Sequence, residues 1–248
     1  MKFIIFLSTF FCFYNANAQT IFLTQGKVEY EKKVNQFKAI EDEDDGEDNV
    51  WLTEMKKNMP RFVTDVYELN FTATKTVYRL KQENTENKYL WGSKPSETDI
   101  TIQDLENNKT SIQKDVFEQT YLIQDSIRNF QWKITGETRE IAGFECKKAV
   151  TKICDSVYIV AFYTDQIIVS SGPESFGGLP GLILGLAVPR LSTTWFATKV
   201  ETIAPTPKQL TPSQKGKKTN WKNLYVEMNK AMKDWGKYGA KNIWKFSL

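Results

Sequence analysis

Three carboxylates near the most unusual part of the chain are the side chains best suited to chemistry. They are Asp155, Asp165 and Glu174, and two of them could serve as general acid and base, as carboxylates do in glycosidases. Acidic residues at strand ends are also common as solvated groups without a catalytic role. Two of these carboxylates within about 5–10 Å of each other across an open cleft would favour a carboxylate-based hydrolase.

The chain contains no histidine, and this excludes several catalytic classes. Ser-His-Asp triads, Cys-His dyads and imidazole proton shuttles all need one, as do metal sites of the HExxH type. The three cysteines are too few for a Cys₄ zinc site or an iron–sulfur cluster held by this chain alone. We therefore predict no catalytic residue, no cofactor and no metal.

An acidic run at residues 41–48 (EDEDDGED) is the one stretch that suggests calcium. It does not match the spaced D-x-D-x-DG loop with a glutamate at position 12. Runs of like charge are typical of solvated loops. A solvated loop is the prediction for this segment.

Two cysteines, Cys146 and Cys154, lie beyond the N-terminal segment and could form a disulfide. Strand patterns at 141–151 and 157–164, with a turn signal at Asp155-Ser156, place Cys154 at a hairpin tip and Cys146 partway along a strand. The Cα atoms of a disulfide must approach within about 7 Å, so this arrangement argues against the bond. A bridge would need poor turn chemistry at 149–151, and buried thiols are the alternative.

The N-terminal residues 1–18 have the pattern of a secretory signal. Lys2 precedes an apolar run at 3–14, and small residues before Ala18 predict cleavage between Ala18 and Gln19. The apolar run is shorter than the roughly twenty residues that span a bilayer. We expect export to the periplasm, the periphery of the outer membrane or the exterior, with no transmembrane segment after cleavage.

Composition is that of an ordinary folded protein of 248 residues, with 41% hydrophobic and 13% aromatic residues. The 33 basic and 30 acidic residues nearly balance, so net charge does not favour a nucleic-acid partner. The dominant hydrophobic period is two, which is typical of strands with one wet face. The strand patterns lie at about 28–34, 63–71, 74–81, 110–118, 121–125, 131–140, 144–153, 157–164 and 195–203.

These short strands without intervening helical periods predict a mainly β domain at 19–203. We expect a curved antiparallel sheet or a partly open barrel. The strand at 157–164 is apolar on both parities, which predicts a central position with both faces covered.

The last part of the chain changes character. Residues 204–219 contain three prolines and a small lysine cluster, which predicts a stiff linker. Residues 220–248 begin with a helical period of 3.6, with Asn220 as N-cap and Gly236 as the stop. This amphipathic helix could lie on a membrane or dock on a partner, but packing on its own sheet is the favoured alternative. Its apolar stripe contains Trp221, Leu224, Tyr225, Met228, Ala231, Met232 and Trp235.

Residues 170–186 (SSGPESFGGLPGLILGL) hold five of the thirteen glycines. Turns are predicted at Gly172-Pro173 and at 178–181, the second of type II with Pro180 at its first central position. The segment lacks the glycine pattern of a nucleophile elbow and the Gly-Lys-Ser/Thr of a phosphate loop. We therefore predict a structural crossing after which residues 182–184 re-enter the core.

This segment resembles the GLPGLI family of exported Bacteroidetes proteins. The motif itself is Gly178, Leu179, Pro180, Gly181, Leu182 and Ile183. The flanking residues that follow the family's order are Trp132, Ile141-x-Gly143-Phe144-x-Cys146-x-Lys148-Ala149, 161–164, and Gly172-Pro173-x-x-Phe176. The family commonly has tryptophan where Phe162 stands and proline near Ile168. The resemblance covers about residues 25–203 and implies a β-rich envelope protein, with no catalytic or ligand-binding residues to carry over.

Predicted export, the absence of recognisable catalytic chemistry and the 7 Trp, 10 Tyr and 16 Phe favour a non-catalytic envelope protein. It would bind an apolar ligand, a lipid or a partner protein. A half-barrel like that of periplasmic lipoprotein carriers would fit, on fold analogy alone. An inner face filled by the protein's own side chains would exclude the lipid carrier. The alternatives are the carboxylate hydrolase and a structural subunit that docks through its C-terminal helix or an edge strand.

Overall fold

A computed structural model of the protein describes residues 22–41, 50–89, 94–154 and 156–248. The described part is mainly β and forms one open sheet of twelve strands, in the order β12-β6-β5-β4-β3-β2-β1-β11-β10-β9-β8-β7. The strands are β1 Gly26–Asn35, β2 Phe62–Phe71, β3 Lys75–Gln82, β4 Ile100–Asp104, β5 Lys109–Val116, β6 Gln119–Ser126, β7 Lys133–Ile141, β8 Phe144–Ile153, β9 Val157–Thr164, β10 Leu182–Val188, β11 Thr193–Glu201 and β12 Lys217–Thr219. The helices are α1 Gln36–Glu41, α2 Val50–Asn58, α3 Pro207–Leu210, α4 Trp221–Ala231 and α5 Gly236–Phe246. The predicted antiparallel, mainly β fold is confirmed, and the sheet is not closed into a barrel.

The period of two in the sequence gives the sheet an inner and an outer face. On the inner face Tyr30 of β1 lies opposite Tyr67 of β2 and Ala197 of β11, and all three are buried. The outer face carries ion pairs between neighbouring strands, such as Arg79 with Glu68 at 2.7 Å. Alternating apolar and charged residues therefore fix the register, because a shift by one residue would exchange the two faces.

Two apolar clusters cover the inner face. The larger one joins strands β1 to β3 and β8 to β11 to the loop that connects β9 and β10, through Ile167, Phe176 and Leu179. The smaller one packs α4 on β5 and β6, through Leu224, Met228 and Met232 against Ile112, Tyr121 and Ile123. The C-terminal helix thus packs on the sheet as predicted, but Tyr225, Ala231 and Trp235 of the predicted apolar stripe are exposed.

Four details differ from the prediction. Strand β4, a short segment of five residues, was missed. Strand β9 lies inside the sheet, but its outer face is wet, since Tyr158 is 59% exposed; the prediction that both faces are covered was wrong. The alternate residues Tyr158, Val160 and Phe162 face outward, and although they are apolar, neighbouring side chains in the sheet shield them only in part.

The other two differences lie beyond residue 203. The segment predicted as a linker carries α3, which lies against β2 and β3, and β12, which pairs parallel to β6. Asn220 caps α4 as predicted, with its side chain accepting from the amide of Asn223 at 2.9 Å. Gly236 adopts a positive φ of 53°, but it is the first residue of helix α5 and not the end of α4 as predicted. No helix among the described residues is long and apolar enough to cross a membrane.

Candidate functional site

The loop at residues 165–181, which connects β9 to β10, packs on the inner face of the sheet and ends in the glycine-rich motif. Its backbone is tied to the start of β10: the amide of Leu182 donates to Ile167 at 3.0 Å, and that of Ile183 to Ser171 at 2.9 Å. The amide of Gly181 donates to the carbonyl of Leu179 at 2.8 Å. This bond spans Pro180 alone, so the turn is a γ-turn and not the predicted type II turn.

Glycine is required at one motif position by a close backbone approach. Gly181 has a φ of 149°, and a Cβ there would lie 2.0 Å from the carbonyl oxygen of Thr164. At Gly178 the φ is 84°, but the nearest atom to a Cβ would be Nε1 of Trp132 at 3.7 Å. Trp132 also donates to the carbonyl of Gly177 at 2.9 Å. These contacts give the motif a structural role, which accords with the predicted crossing.

A turn upstream of the motif turns a carboxylate toward the inner face. The amide of Phe176 donates to the carbonyl of Pro173 at 3.2 Å, and Glu174 between them has a left-handed φ of 58°. The Glu174 carboxylate accepts from Nζ of Lys32 at 3.0 Å and from Nε1 of Trp195 at 3.2 Å. The Lys32 ammonium lies 5.0 Å from the ring centre of Trp195 and 5.1 Å from that of Tyr67.

Burial and charge act in opposite directions on this ion pair. Burial acts to raise the pKa of Glu174, but the nearby Lys32 and Lys114 outweigh it and hold the pKa below its usual range. Burial likewise acts to lower the pKa of Lys32, but attraction to Glu174 and Tyr67 raises it overall. Both groups are therefore charged at neutral pH. Burial raises the pKa of the Tyr67 hydroxyl to about 12.

Two further charged residues belong to the same electrostatic cluster. Burial lowers the pKa of Lys114, although Glu174 and Asp99 oppose the shift. Burial raises the pKa of Asp99 to about 6, against the attraction of Lys114 and a hydrogen bond from the amide of Asp115. That bond measures 2.8 Å. We call Lys32, Glu174, Lys114 and Asp99 the inner charge cluster.

Next to this cluster, Arg128 fastens the end of the chain to the loop. Its guanidinium donates to the main-chain oxygens of Ser247 at 2.5 Å and Leu248 at 2.9 Å, and also to Oγ of Ser175. The same guanidinium lies 4.5 Å from the ring of Trp221. Burial lowers the pKa of Arg128 to about 10, so it remains charged, and the loop, α4 and the residues after α5 share one cation.

Glu174 and Asp165, the two carboxylates proposed from the sequence that the structure describes, have different partners. Glu174 is committed to Lys32, while Asp165 is half exposed and pairs with Lys147 at 2.5 Å. Asp155 lies outside the described residues, as do most of the acidic run and the Ala18–Gln19 cleavage position. Cys146 is buried and Cys154 is partly exposed, and both are free thiols.

Three members of the inner charge cluster, Lys32, Lys114 and Asp99, were not predicted from the sequence. Lys32 could have been found, because it occupies the apolar parity of its strand together with Val28, Tyr30 and Val34. A lysine on that parity signals a buried charge that needs a partner. Lys114 carries the same signal, because it lies on one parity of its strand with the buried Ile112 and Val116, whereas the pattern around Asp99 carries none. No group of His, Cys, Asp or Glu in the described ranges has the arrangement of a metal site.

The fold and the cluster together define a mainly β domain whose inner face is held by its own loop and C-terminal segment. The chain belongs to the family described as the N-glycanase peptide, N-terminal domain, which matches residues 63–224. This match does not bear on the resemblance to the GLPGLI family, which stays a prediction. No curated protein sequence matches the chain.

Solved structures resemble the chain at low identity. A PNGF-II structure in space group P21 matches 82% of this chain and 32% of its own chain, at 21% identity and a TM-score of 0.50. PNGF-II in space group C2 gives 20% identity and a TM-score of 0.49 over the same shares. The Pseudomonas aeruginosa MucA/MucB complex gives 11% identity and a TM-score of 0.39, over 77% of this chain and 56% of that one. The chain thus spans about a third of PNGF-II, and the likeness is one of fold.

Proposed function

We propose that the chain is an exported, non-catalytic binding domain that docks on a component of the cell envelope through the outward side of its C-terminal helix α4. The observation that carries this proposal is that the protein fills its own inner face. Binding is then left to the outer surfaces of the domain. Export is part of the proposal and is supported by the signal pattern at residues 1–18.

The filled inner face argues against an apolar ligand held within the sheet. Tyr30, Leu69 and Trp195 on the strands have no exposed surface, and neither does Phe176 of the covering loop. Ligand pockets of drug size need several hundred Å³ of open volume, and side chains that line such a space would keep surface accessible to water. An inner face filled by the protein's own side chains excludes a lipid carrier, so lipid transport is not part of the proposal.

The state of the carboxylates argues against the hydrolase. A glycosidase needs one carboxyl group with a raised pKa as acid and a second group across an open cleft. Glu174 has a lowered pKa because Lys32 and Lys114 stabilise its charge, and Lys32 occupies the position next to it. Asp165 lies outside this cluster and pairs with Lys147. The ion pair therefore supports a role in holding the loop.

Two docking elements were predicted, an edge strand and the C-terminal helix, and the structure favours the helix. Edge strand β7 is interrupted by a bulge between Ile134 and Thr138, and charged side chains line it. Bulges and charges are the features that protect an edge against strand addition. By contrast, α4 exposes Val226 (60%) on the side away from the sheet and Tyr225 (50%) at the edge of that side.

A site-specific cross-linking experiment tests the proposal. A photoreactive residue is placed at Val226 in the exported protein, and in a matched variant at Tyr158, which is equally exposed on the outer face of β9. We expect an adduct in the intact envelope at Val226 and none at Tyr158. Native mass spectrometry of the same exported protein should find no apolar ligand. A stoichiometric bound lipid, or adducts at Tyr158 alone, would refute the proposal.

A further inference from the structure

The outward side of α4 combines positive charge with exposed apolar side chains. Lys222, Val226 and Lys230 lie on the side of α4 opposite Leu224 and Met228, Tyr225 lies at the edge between the two sides, and Lys233 follows just beyond the helix; all five are exposed. None of the three lysines has an acidic partner among the described residues. Residues 205–248 hold ten lysines and two acidic residues, in a chain of 33 basic and 30 acidic residues, so positive charge is concentrated here.

An exposed aromatic pair extends this surface beyond the C-terminal end of α4. Trp235 is 41% exposed and Phe117 is 50% exposed, and their ring centres lie 5.6 Å apart. Phe117 also packs at 5.6 Å on Phe246 of α5. We call Lys222, Tyr225, Val226, Lys230, Lys233, Trp235 and Phe117 the basic aromatic face.

The backbone at Phe117 is a second, independent sign that this surface has a use. Phe117 and Glu118 form the two-residue loop between β5 and β6, and Phe117 has a left-handed φ of 56°. Such a position usually holds glycine or asparagine. A bulky residue held there is unfavourable for the backbone, and such outliers cluster at functional sites.

The composition of the face matches one kind of partner. Tryptophan, tyrosine and phenylalanine with flanking lysines are the side chains that anchor at a membrane–water interface, and lysines add attraction to anionic headgroups. The two acidic residues nearby do not cancel the positive charge of the face. Glu227 is bound to Lys217 and Tyr121, and Asp234 is a single negative charge beside three lysines. A protein partner would more often be met by an apolar patch depleted of lysine.

We propose that the basic aromatic face binds a membrane surface that contains anionic lipids. The helix would lie in the interface plane, with Tyr225, Val226, Trp235 and Phe117 among the headgroups and the lysines against their charges. This inference rests on the proposed docking role of α4 and names what α4 docks on.

Vesicle sedimentation of the processed, exported chain tests it. We expect binding to vesicles of phosphatidylcholine with phosphatidylglycerol, little binding to phosphatidylcholine alone, and weakening with added salt. Replacing Lys222, Lys230 and Lys233 by glutamine should weaken binding about fivefold per lysine, on the order of a hundredfold in all. The control replaces Lys109, Lys133 and Lys152 by glutamine; these lysines are also exposed but lie on the strands, outside the basic aromatic face. It changes the net charge by the same amount and should bind like the wild type, because the position of the lysines and not the net charge decides binding.

Tests of the apolar part separate contact from attraction by charge alone. Y225S/V226S should lose most binding, whereas I134S/Y158S, with equally exposed side chains, should retain it. Tryptophan emission should shift to the blue on vesicle addition, and W235F should reduce that shift. Circular dichroism of each variant should match the wild type.

The outcomes distinguish the two proposals. Equal loss in the lysine variant and its charge-matched control would overturn the membrane inference, and so would an unchanged Y225S/V226S variant. If the wild-type protein does not bind anionic vesicles but forms a protein adduct at Val226, the membrane inference is refuted and the docking role of α4 stands. If the protein neither binds anionic vesicles nor forms an adduct at Val226, both proposals are overturned.

Discussion

Replacing glycine by alanine at two motif positions tests whether a close backbone contact, and not membership of the motif, makes glycine necessary. Gly181 and Gly178 both have positive φ angles, 149° and 84°. They differ in space, since a Cβ at Gly181 would lie 2.0 Å from the carbonyl oxygen of Thr164 and 3.0 Å from Cα of Asp165. A Cβ at Gly178 would be in ordinary contact, 3.7 Å from the Trp132 ring.

The expected free energies follow from these distances. G178A should cost about 1–2 kcal/mol, the strain of an alanine in a left-handed conformation. G181A carries about 1–3 kcal/mol of strain, and a further 1–3 kcal/mol or so because the backbone of Thr164 must move. Its total of about 4 kcal/mol is a large part of the roughly 5–15 kcal/mol that stabilises a domain. At about 3 °C per kcal/mol, Tm should fall by about 12 °C in G181A and about 4 °C in G178A.

Urea unfolding followed by tryptophan fluorescence measures both variants against the wild type. G178A is the matched control, because it changes the same residue type in the same motif. The reasoning would be refuted if G181A were no less stable than G178A. It would also fail if G178A unfolded the protein while G181A did not, since the motif would then act through something other than the Thr164 contact.

Three further predictions concern the groups beneath and beside the loop. R128M should lower the free energy of unfolding by about 2–4 kcal/mol, because buried acceptors lose a charged donor. It should also speed hydrogen exchange in α5, and unchanged exchange would contradict the role of Arg128 in fastening the end of the chain to the loop. The pKa of Asp99 is raised to about 6 by burial, so the folded state binds more protons than the unfolded state from about pH 4 to 6 and stability from this group falls as pH rises. D99N should therefore be more stable than the wild type at pH 7 but not at pH 4, by urea unfolding; a constant difference would exclude the raised pKa. Burial raises the pKa of Cys146 to about 12, so Ellman's reagent should titrate Cys154 alone in the native protein and both thiols after unfolding, whereas no thiol before reduction would mean a disulfide.

The strands were predictable where short runs of apolar, β-branched and aromatic residues lie between turn signals. Strands β5, β6, β8 and β9 each lie within a residue or two of the pattern in the sequence, although β6 buries Tyr121, Leu122 and Ile123 in succession and β9 is apolar on both parities. Short elements gave no such signal: β4 has five residues and β12 has three. Strand β12 exists because the preceding chain is led back to β6, which is a tertiary effect that no local pattern records.

The helical end shows the limit of local signals in another way. Gly236 was taken as the end of the helix because glycine often occupies the left-handed position after a helix. It does adopt that conformation, but α4 has already ended at Ala231, and α5 begins at Gly236 itself. Whether a chain turns away or starts a second helix after such a glycine depends on what the next residues can bury. Here α5 places Ile243 and Phe246 against the small apolar cluster.

The candidate site was harder to predict than the fold because its parts are far apart in sequence. Lys32 could be suspected from its parity, but its partner Glu174 is 142 residues away. The sequence marked Glu174 as a possible acid in a cleft, since acidic residues beside a glycine-rich loop suggest chemistry. Its charge proved to be neutralised by strand β1, and only the packing of the loop across the sheet reveals that.

The contacts of the loop explain why the most recognisable segment of the chain can be a structural one. Ser171 bonds to Thr76 at 3.0 Å and to Gln103 at 2.7 Å, and Gln103 in turn donates to the carbonyl of Ser175 at 3.1 Å. Glu174 reaches strand β1, and Ser175 meets the end of the chain through Arg128. One loop therefore contacts strands β1, β3, β4 and β11 of the open sheet. Because the loop passes so close to the carbonyl oxygen of Thr164, it can make these contacts only with glycine at position 181.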